Sequence, residues 1–345
     1  MSSHDPIDYG SDPQAREREL ELSRRELVRM GIGAGLGLAL TPWAKLAAQS
    51  AHARGDLAPH ELDETQSGAL ITRTIPSSGE KLPAIGIGTA RRYDVATAEE
   101  KAPLLETLRE FPKRGGKLID TAPSYGNAEA VTGELVAQLG IRDQLFLATK
   151  VSVRGTDAAS GVAQMQASFR ALHTDHVDLM QVWNLQGTET LLPVLREMKT
   201  QKKIRYVGVT TSNERQYPEL EALLKKEPLD FIQVDYAADN REAADRILPL
   251  AKDRGAAVLI NLPFGRSRVF QNVLSTPVPE WAKEFEATTW AQIFLKYIVA
   301  NGAVTCVIPG TAQLKYVTDN MSAARGALPD AAMLKKIEAL VGKSM

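Results

Sequence analysis

Three side chains suited to acid–base chemistry follow strand-like stretches near the middle of this 345-residue chain. Asp120 and Tyr125 belong to the run Gly-Lys-Leu-Ile-Asp-Thr-Ala-Pro-Ser-Tyr-Gly at positions 116–126, and Lys150 ends the stretch Leu-Ala-Thr-Lys. A phenol with an ordinary pKa of about 10 is a poor proton donor at neutral pH, so a neighbouring ammonium group and a carboxylate that holds it are the expected tuning devices. The sequence therefore predicts a proton-donor site. Taken singly, Asp120 and Lys150 could also form an ordinary ion pair between adjacent strands, with Tyr125 at the rim.

Short apolar stretches alternate with helical patterns from Ala69 onward, after a hairpin-like pair around Pro76-Ser-Ser-Gly79. The predicted strands are Ala84–Thr89, Lys117–Ala122, Leu145–Val151, Val177–Asn184, Ile204–Ser212, Phe231–Ala237, Ala256–Phe264 and Val304–Gly310. The predicted helices are Thr97–Lys113, Ala128–Leu139, Gly161–Leu172, Leu191–Lys202, Glu214–Lys226, Arg241–Arg254, Trp290–Ala300 and Leu314–Arg325.

Several of these strands are almost continuously apolar, which is typical of a parallel sheet covered on both faces. Eight such units predict an α/β fold, a (β/α)8 TIM barrel with an N-terminal β-hairpin, and an open doubly wound sheet is the alternative. Asp120 and Lys150 would then lie at strand C-terminal ends, on the catalytic face of the barrel. The loops after the fourth and seventh strands look short, so we expect an open, broad pocket.

The first part of the chain has a different composition. Paired arginines, Arg24-Arg25, precede the apolar run Met30–Leu40 and then an Ala-rich stretch. This pattern resembles a twin-arginine export signal, and the apolar run is much shorter than the about 20 residues that span a membrane. We expect residues 1–53 to be a cleaved signal and leader, 54–68 a linker and 69–345 the barrel, with export by the twin-arginine machinery and a periplasmic or exported location. A surface amphipathic helix with a chance Arg pair is the alternative.

Charge and motif content argue against other classes of protein. The chain has 41 basic and 42 acidic residues and a net charge of -1, without the basic stripe that a nucleic-acid surface needs. It has no His-Glu-x-x-His, Cys-x-x-Cys or Gly-x-Ser-x-Gly motif and no Gly-x-Gly-x-x-Gly after a strand. We therefore expect no metal site, and the lone cysteine, Cys306, reads as a buried and inert thiol.

Over residues 69 to 345 the chain resembles the aldo-keto reductases, and most closely their exported bacterial branch. The matching segments are Gly86-Ile-Gly-Thr89, Ile119–Gly126, Thr149-Lys150, Val207–Thr211, Gln233, Leu262–Gly265, Val307–Thr311 and Asp319-Asn320. The resemblance implies hydride transfer between a nicotinamide dinucleotide and an aldehyde or ketone. It further implies that Tyr125 donates the proton, Lys150 lowers the pKa of Tyr125, and Asp120 orients Lys150. A donor aimed at the carbonyl oxygen stabilises the charge that develops there.

The sequence departs from this family at the end of the fourth strand, where a catalytic histidine is usual and Trp183 stands. His173 and His176 precede that strand and would lie at the wrong end of the barrel. Trp183 can offer its indole N–H but cannot relay a proton. Three interpretations stay open: a retained reductase with a pocket reshaped by Trp183, weakened turnover with cofactor binding kept, or a substituted chain with altered activity.

The resemblance also implies a set of cofactor contacts, with NADP(H) favoured and NAD(H) possible. Thr210, Thr211 and Gln233 would contact the nicotinamide carboxamide, or alternatively form a buried, satisfied polar core. Asn261 takes the place of the usual stacking aromatic. Phe264 and Arg266 would lie near the pyrophosphate, and Arg266 would be its charge partner. The other expected cofactor-binding residues are Gly88, Thr89, Gly310, Thr311, Asp319 and Asn320, the last two being an exposed helix face in the alternative interpretation.

The leading functional hypothesis is an exported NAD(P)H-dependent oxidoreductase acting on a small carbonyl or alcohol, with no nucleic-acid partner and no stable membrane anchor after cleavage. A dinucleotide-binding module with weak or no turnover is the competing hypothesis, because Trp183 replaces the usual histidine. A barrel with different chemistry is the third, since a fold alone does not determine function.

Overall fold

The computed structural model describes residues 68–273 and 275–342, all of which belong to one compact unit, Leu62–Met345. The predicted signal segment, residues 1–53, lies outside the described residues, as does the predicted linker except for Gly68.

Ten strands occur in the described part of the chain. In chain order they are β1 Thr72–Thr74, β2 Lys81–Pro83, β3 Ile87–Gly88, β4 Leu118–Asp120, β5 Phe146–Val151, β6 Val177–Trp183, β7 Ile204–Thr210, β8 Phe231–Asp235, β9 Ala257–Asn261 and β10 Cys306–Val307. Each of the eight predicted barrel strands is present, with shorter bounds than expected, because hydrogen-bonded pairing stops where the chain turns into a loop.

Nine α-helices lie between and after these strands among the described residues. They are α1 Ala98–Lys113, α2 Ala128–Leu139, α3 Ala158–Ala171, α4 Thr188–Thr200, α5 Tyr217–Lys226, α6 Glu242–Asp253, α7 Trp290–Val299, α8 Leu314–Ser322 and α9 Ala331–Val341. Side-chain caps explain several of the starts: Thr97 and Glu100 form a reciprocal capping box at α1, and Thr289 caps α7.

The eight strands β3–β10 form one parallel sheet that closes on itself. Each strand pairs with the next along the chain, and parallel bridges from Ile85 to Val307 and from Gly88 to Gly310 join its two ends. The C-terminal ends of all eight strands therefore meet at one rim. The (β/α)8 prediction is confirmed, and the doubly wound alternative is wrong.

The antiparallel pair β1–β2 covers the opposite end of the barrel. Ile75 and Leu82 are fully buried in a cluster with Phe146, Tyr206 and Phe231. The rings of Phe146 and Tyr206 stack at 5.7 Å, and those of Tyr206 and Phe231 meet edge to face at 5.4 Å. Because Phe146 and Phe231 begin their strands, the hairpin closes the strand N-terminal ends and leaves the opposite rim for the site.

Alternate strands carry a polar side chain that accepts a backbone N–H from the preceding strand. Asp178 of β6 accepts from Leu147 at 2.8 Å, Asp230 just before β8 accepts from Val207 at 2.9 Å, and Thr305 just before β10 accepts from Val258 at 2.9 Å. These contacts satisfy buried N–H groups near the strand starts, where an unpaired donor would cost about 1–3 kcal/mol. They stabilise the barrel at the end away from the predicted chemistry.

The connection after β9 is long, which contradicts the prediction of a short loop there. It runs over residues 262–289 and contains two short 3-10 helical segments, Gly265–Phe270 and Glu280–Phe285. Phe270 packs on Phe264 at 5.1 Å and on Phe294 of α7 at 5.4 Å. The segment has no regular hydrophobic period, so the sequence pattern did not indicate its structure. Aromatic packing holds it in place. The connection after β6, residues 184–187, is short as predicted.

Cys306 is fully buried in the barrel interior, and burial raises the pKa of its thiol. This agrees with the expected inert thiol. Over the residues that the structure describes, no helix has the length and apolar character needed to cross a membrane.

Candidate active site

The carboxylate of Asp120 and the ammonium group of Lys150 meet at the open rim. Asp120 is the last residue of β4, and Lys150 is the penultimate residue of β5. Lys150 Nζ donates to Asp120 Oδ1 at 2.6 Å and to the Thr121 carbonyl at 2.8 Å. Both side chains are almost fully buried. Breaking a buried pair of this kind by removing one partner typically costs about 3–5 kcal/mol, because the remaining charge is left without compensation.

Lys150 keeps its positive charge despite complete burial. Desolvation by itself lowers the pKa of Lys150, but attraction to the Asp120 carboxylate and to the Tyr125 phenol outweighs it, so the pKa is raised above its ordinary value. A fixed positive charge thus lies beside the phenol, which is the arrangement that the sequence predicts for a proton donor.

Tyr125 lies in the loop between β4 and α2, with its ring under Lys150. The Lys150 Nζ is 5.0 Å from the ring centroid, and the Tyr125 side chain is half-buried. Asp94, from the loop after β3, accepts the backbone N–H of Asn127 at 2.9 Å. Gly126 has a φ of 62°, and a Cβ atom there would collide with the Asp94 carboxylate. Asp94 therefore holds the Tyr125 loop in place. Its carboxylate packs against Gly126, where a side chain would not fit.

A buried layer of side-chain amides supports the second oxygen of Asp120. Gln181 Nε2 and Gln233 Nε2 donate to Asp120 Oδ2 at 3.1 and 2.9 Å. Gln233 Nε2 also lies 3.3 Å from Gln181 Oε1, and Gln233 Oε1 accepts from Thr210 at 3.2 Å and from Asn261 at 3.3 Å. The four hydrogen-bonding positions of the Gln233 amide are thus all used within the chain.

This layer corresponds to the buried polar core that the sequence left open as an alternative for Thr210 and Gln233. Gln181 was missed by the sequence reasoning altogether. The available signal was its position two residues before Trp183 in a largely apolar strand, which places both side chains on the inner face.

Trp183 occupies the C-terminal end of β6, at the rim, and is partly buried. It lines a cavity together with Lys150. Its indole N–H makes no hydrogen bond with any residue that the structure describes and can donate to a bound molecule. His173 and His176 precede β6 and lie at the far end of the strand, as predicted.

A second buried carboxylate lies behind Lys150. Glu129, in the first turn of α2, accepts from Thr149 Oγ1 at 2.5 Å and from Ser168 Oγ at 3.1 Å. Burial raises the pKa of Glu129, although both hydroxyls and the charge of Lys150 act in the opposite direction. The sequence reasoning did not single out this residue.

Three of the expected cofactor-binding residues have structural roles within the barrel. A Cβ at Gly88 would lie 2.7 Å from the Ile308 carbonyl, so only glycine allows β3 to approach the neighbouring strand. Thr89 is fully buried and donates to the Asp120 carbonyl at 3.0 Å. Thr211, also fully buried, donates to Gln216 at 2.6 Å. The Thr89 and Thr211 hydroxyls therefore have partners inside the chain.

The long connection after β9 contributes an exposed cation. Leu262 and the consecutive residues Gly265, Arg266 and Ser267 have positive φ values of 48°, 53°, 54° and 77°. Such conformations are costly for residues other than glycine and concentrate at functional sites. The Arg266 side chain is exposed and has no ion-pair or hydrogen-bond partner within the described ranges, while neighbouring Phe264 is partly buried against Phe270.

The residues after β10 form a polar corner beside α8. Asn320 Nδ2 donates to Thr311 Oγ1 at 3.0 Å, and both residues are buried. Asp319 accepts from Thr289 at 3.0 Å and from Gln292 at 2.8 Å, and burial raises the pKa of its carboxyl. Asp319 and Asn320 therefore do not form an exposed helix face. Gly310 is exposed next to this corner.

The rim residues fit the phosphate groups of a nicotinamide dinucleotide better than they fit its nicotinamide ring. The exposed guanidinium of Arg266 and the N-terminal backbone amides of α8 favour anionic groups. On the nicotinamide side, the saturated Gln233 amide is not free to bind a ligand without giving up a contact. Over the described residues, no group of three or more His, Cys, Asp or Glu side chains is placed to hold a metal ion.

The chain is similar in sequence to known proteins. A sequence model described as the Aldo/keto reductase family matches residues 84–341. "Aldo-keto reductase YhdN" of Bacillus subtilis (strain 168) is 32% identical over 201 residues, which are 54% of this chain and 60% of the relative. "Methylglyoxal reductase YeaE" of Escherichia coli (strain K12) is 29% identical over 272 residues, 76% of this chain and 94% of the relative.

Solved structures share the same architecture. A thermostable aldo-keto reductase, Tm1743, solved with the inhibitor epalrestat, has a TM-score of 0.66 at 25% identity and covers 79% of this chain and 100% of its own. An aldo-keto reductase from Klebsiella pneumoniae in complex with NADPH has a TM-score of 0.66 at 22% identity, covering 80% and 97%. At 22% identity, the similarity to the Klebsiella pneumoniae structure shows that the two proteins share a fold.

Proposed function

Because the chain belongs to the aldo/keto reductase family, we propose that it reduces an aldehyde or ketone, or oxidises the matching alcohol, with Tyr125 as proton donor. The observation that carries this proposal is the position of one buried ammonium group, Lys150 Nζ, which lies 2.6 Å from Asp120 Oδ1 and 5.0 Å from the Tyr125 ring centroid. Charge, phenol and carboxylate meet at the rim where barrel enzymes bind their substrates.

A nicotinamide dinucleotide would supply the reducing equivalent, and the residues of this chain would manage the proton and the charge. Lys150 lies beside the phenol of Tyr125 and favours the negative charge left on it after proton donation. Asp120, clamped by Gln181 and Gln233, keeps Lys150 in place. A donor aimed at the oxygen where charge develops contributes most in a site that excludes water.

We assign NADP(H) as the favoured cofactor, with NAD(H) possible. Solved relatives carry NADPH or NADP, whereas one E. coli relative, 26% identical, is named NADH-specific methylglyoxal reductase. Arg266 and the α8 N-terminus would hold the phosphates, with Phe264, Gly310 and Thr311 beside them. Asp319 and Asn320, in the polar corner after β10, would lie next to the adenine side of the cofactor.

Trp183 supports a second candidate function, a dinucleotide-binding module with weak or no turnover. A tryptophan at this rim position fills more space than a histidine and cannot relay a proton. Its free indole N–H favours the enzyme, because it can still donate to a carbonyl oxygen. A substituted chain with altered activity is the third interpretation of this residue.

Two measurements separate these functions. Quenching of tryptophan fluorescence on addition of NADPH reports cofactor binding, and loss of absorbance near 340 nm with a panel of aldehydes and ketones reports turnover. We expect both signals. Binding without consumption for every carbonyl would favour the module, and absence of binding would remove both functions.

We also propose export through the twin-arginine machinery, supported by Arg24-Arg25 ahead of the apolar run Met30–Leu40. Cell fractionation of a bacterial host tests this. The wild-type protein should appear in the periplasm in a shortened form that has lost the signal, and conversion of both arginines to lysine should retain the protein in the cytoplasm. Equal cytoplasmic amounts of the two proteins would contradict the proposal.

A further inference from the structure

A cavity of about 220 Å³ opens beside the proposed proton-donor system. Its wall includes Lys150 and Trp183 at the strand ends and continues through Ser124 and Ser152 to Gln164 of α3. Pockets for drug-sized ligands usually measure about 300–1,000 Å³, so this cavity suits a smaller molecule. The cavity is smaller than the broad pocket that the sequence predicts.

Gln164 reaches the cavity because α3 packs closely against α4 and against the loop that follows β5. A Cβ atom on Gly161 would lie 2.6 Å from Leu191 Cδ2 and 3.1 Å from Val153 Cγ1, so glycine permits this approach. Gln164 lies three residues further along the helix and therefore on the same face. Close packing at Gly161 thus brings Gln164 against Ser152.

One end of the Gln164 amide is fixed by the backbone. Its Oε1 accepts the N–H of Ser152 at 2.8 Å, so the oxygen faces the chain. The Nε2 group has no hydrogen-bond partner among residues 68–273 and 275–342. An amide nitrogen carries two N–H donors, and these are available at the cavity wall.

The cavity wall offers donors and no acid. The ammonium group of Lys150, the indole of Trp183, the amide of Gln164 and the hydroxyls of Ser124 and Ser152 can all donate, whereas none of the Asp and Glu residues that the structure describes lines the cavity. A fitting ligand is therefore small and rich in acceptor oxygens. Unpaired donors facing an alkyl chain would instead lose their water without replacement.

We propose that Gln164 Nε2 binds a second oxygen of the substrate, so that the chain prefers small carbonyl compounds with a further hydroxyl or carbonyl oxygen to plain aldehydes of equal length. This inference rests on the proposed carbonyl reduction and specifies its substrate class.

The test compares glyceraldehyde with propanal, which share a three-carbon chain and differ in their hydroxyl groups. The wild type should have the higher kcat/KM for glyceraldehyde. Gln164→Leu should reduce the glyceraldehyde-to-propanal ratio about three- to tenfold, the worth of one neutral hydrogen bond. Aldehyde hydration cancels in the change of this ratio, because both enzymes meet the same substrate solutions, and the wild-type preference is calculated from the concentrations of free aldehyde. Gln166→Leu is the matched control, since Gln166 is an exposed residue of the same helix, and its ratio should not change.

An unchanged ratio in Gln164→Leu, or a wild type without preference for glyceraldehyde, would overturn the proposal. If Gln164→Leu does not fold, Gln164→Glu keeps the size and the acceptor for Ser152 but removes the amide donors, and it should show the same loss.

A wild type that reduces neither aldehyde would contradict the proposed function, and binding would then decide this inference separately. Saturation-transfer NMR with glycerol and propan-1-ol, the corresponding alcohols, should favour glycerol in the wild type and lose that preference in Gln164→Leu. Equal signals for both alcohols in the wild type would overturn the inference.

Discussion

The side-chain amide of Gln233 donates a hydrogen bond to Oδ2 of Asp120 at 2.9 Å, while Lys150 occupies Oδ1. Gln233 comes from β8 and Asp120 from β4, so the contact crosses the barrel mouth. Together with Gln181 it gives the carboxylate a fixed orientation from two sides. The charges at the rim are therefore positioned by a buried polar layer, in which the Gln233 amide already has its hydrogen-bond partners within the chain.

The hydrogen bond that the Gln181 amide donates to Asp120 should contribute to activity. Gln181→Glu introduces a carboxyl beside Asp120, and two nearby carboxylates cannot easily both ionise, so the new group has a raised pKa. When protonated it can still donate to Asp120, and when ionised it repels it. We expect kcat/KM of Gln181→Glu to fall as the pH rises where the wild type stays level.

Gln181→Met is the comparison, because it removes the donor without adding a titrating group. It should lose about three- to tenfold at every pH. Parallel pH profiles for Gln181→Glu and the wild type would show that the hydrogen bond to Asp120 has no role in activity.

Gly126 should be required for the position of Tyr125. Gly126→Ala places a methyl group against the Asp94 carboxylate and should shift the Tyr125 loop, reducing kcat about tenfold or more through misplacement of the proton donor. Gly140→Ala is a matched control, since Gly140 has nearly the same φ, 63°, but open space around its Cβ position.

Both glycine variants should lose about 1–2 kcal/mol of stability from backbone strain, measured by urea unfolding. Only Gly126→Ala should lose turnover, and adding Asp94→Ala should recover part of it. Equal kinetic losses in the two glycine variants would refute the clash as the cause.

The buried Glu129 should make stability depend on pH. Its folded pKa is raised by burial, so between the unfolded pKa, about 4.3, and the folded value the folded state binds more protons than the unfolded state. The contribution of Glu129 to the free energy of unfolding is therefore fully present below the unfolded pKa, and it is lost as the pH rises through the folded pKa. Glu129→Gln mimics the neutral form and should gain stability relative to the wild type from pH 4.5 to pH 7. Urea unfolding at several pH values measures the difference, and a constant difference would mean that Glu129 titrates alike in both states.

Trp183 offers a test of the rim position where the family usually has a histidine. Trp183→His adds a titratable donor and frees space, and we expect kcat/KM for small aldehydes to rise about three- to tenfold. Trp183→Phe keeps an aromatic ring without the N–H and should lower the rate. A fall or no change in Trp183→His would mean that the indole is fitted to the native substrate.

The sequence was most informative where an apolar run predicts a strand and the geometry of a parallel barrel then fixes the position of the residue at its end. Apolar runs followed by Asp120 and Lys150 placed both residues at neighbouring strand ends, because parallel strands share one rim. Gln233 was located correctly but its partners were not, since amide hydrogen bonds across a barrel join residues 113 positions apart. The connection over 262–289 was misjudged because aromatic contacts such as Phe270 with Phe294 have no periodic signature.

The central claim is that Tyr125 donates the proton from beside Lys150, and Tyr125→Phe tests it most directly because it removes only the hydroxyl. NADPH consumption at 340 nm with a reducible aldehyde should fall at least about 100-fold, while the NADPH dissociation constant from fluorescence quenching stays within about twofold. A rate equal to that of the wild type would contradict the account.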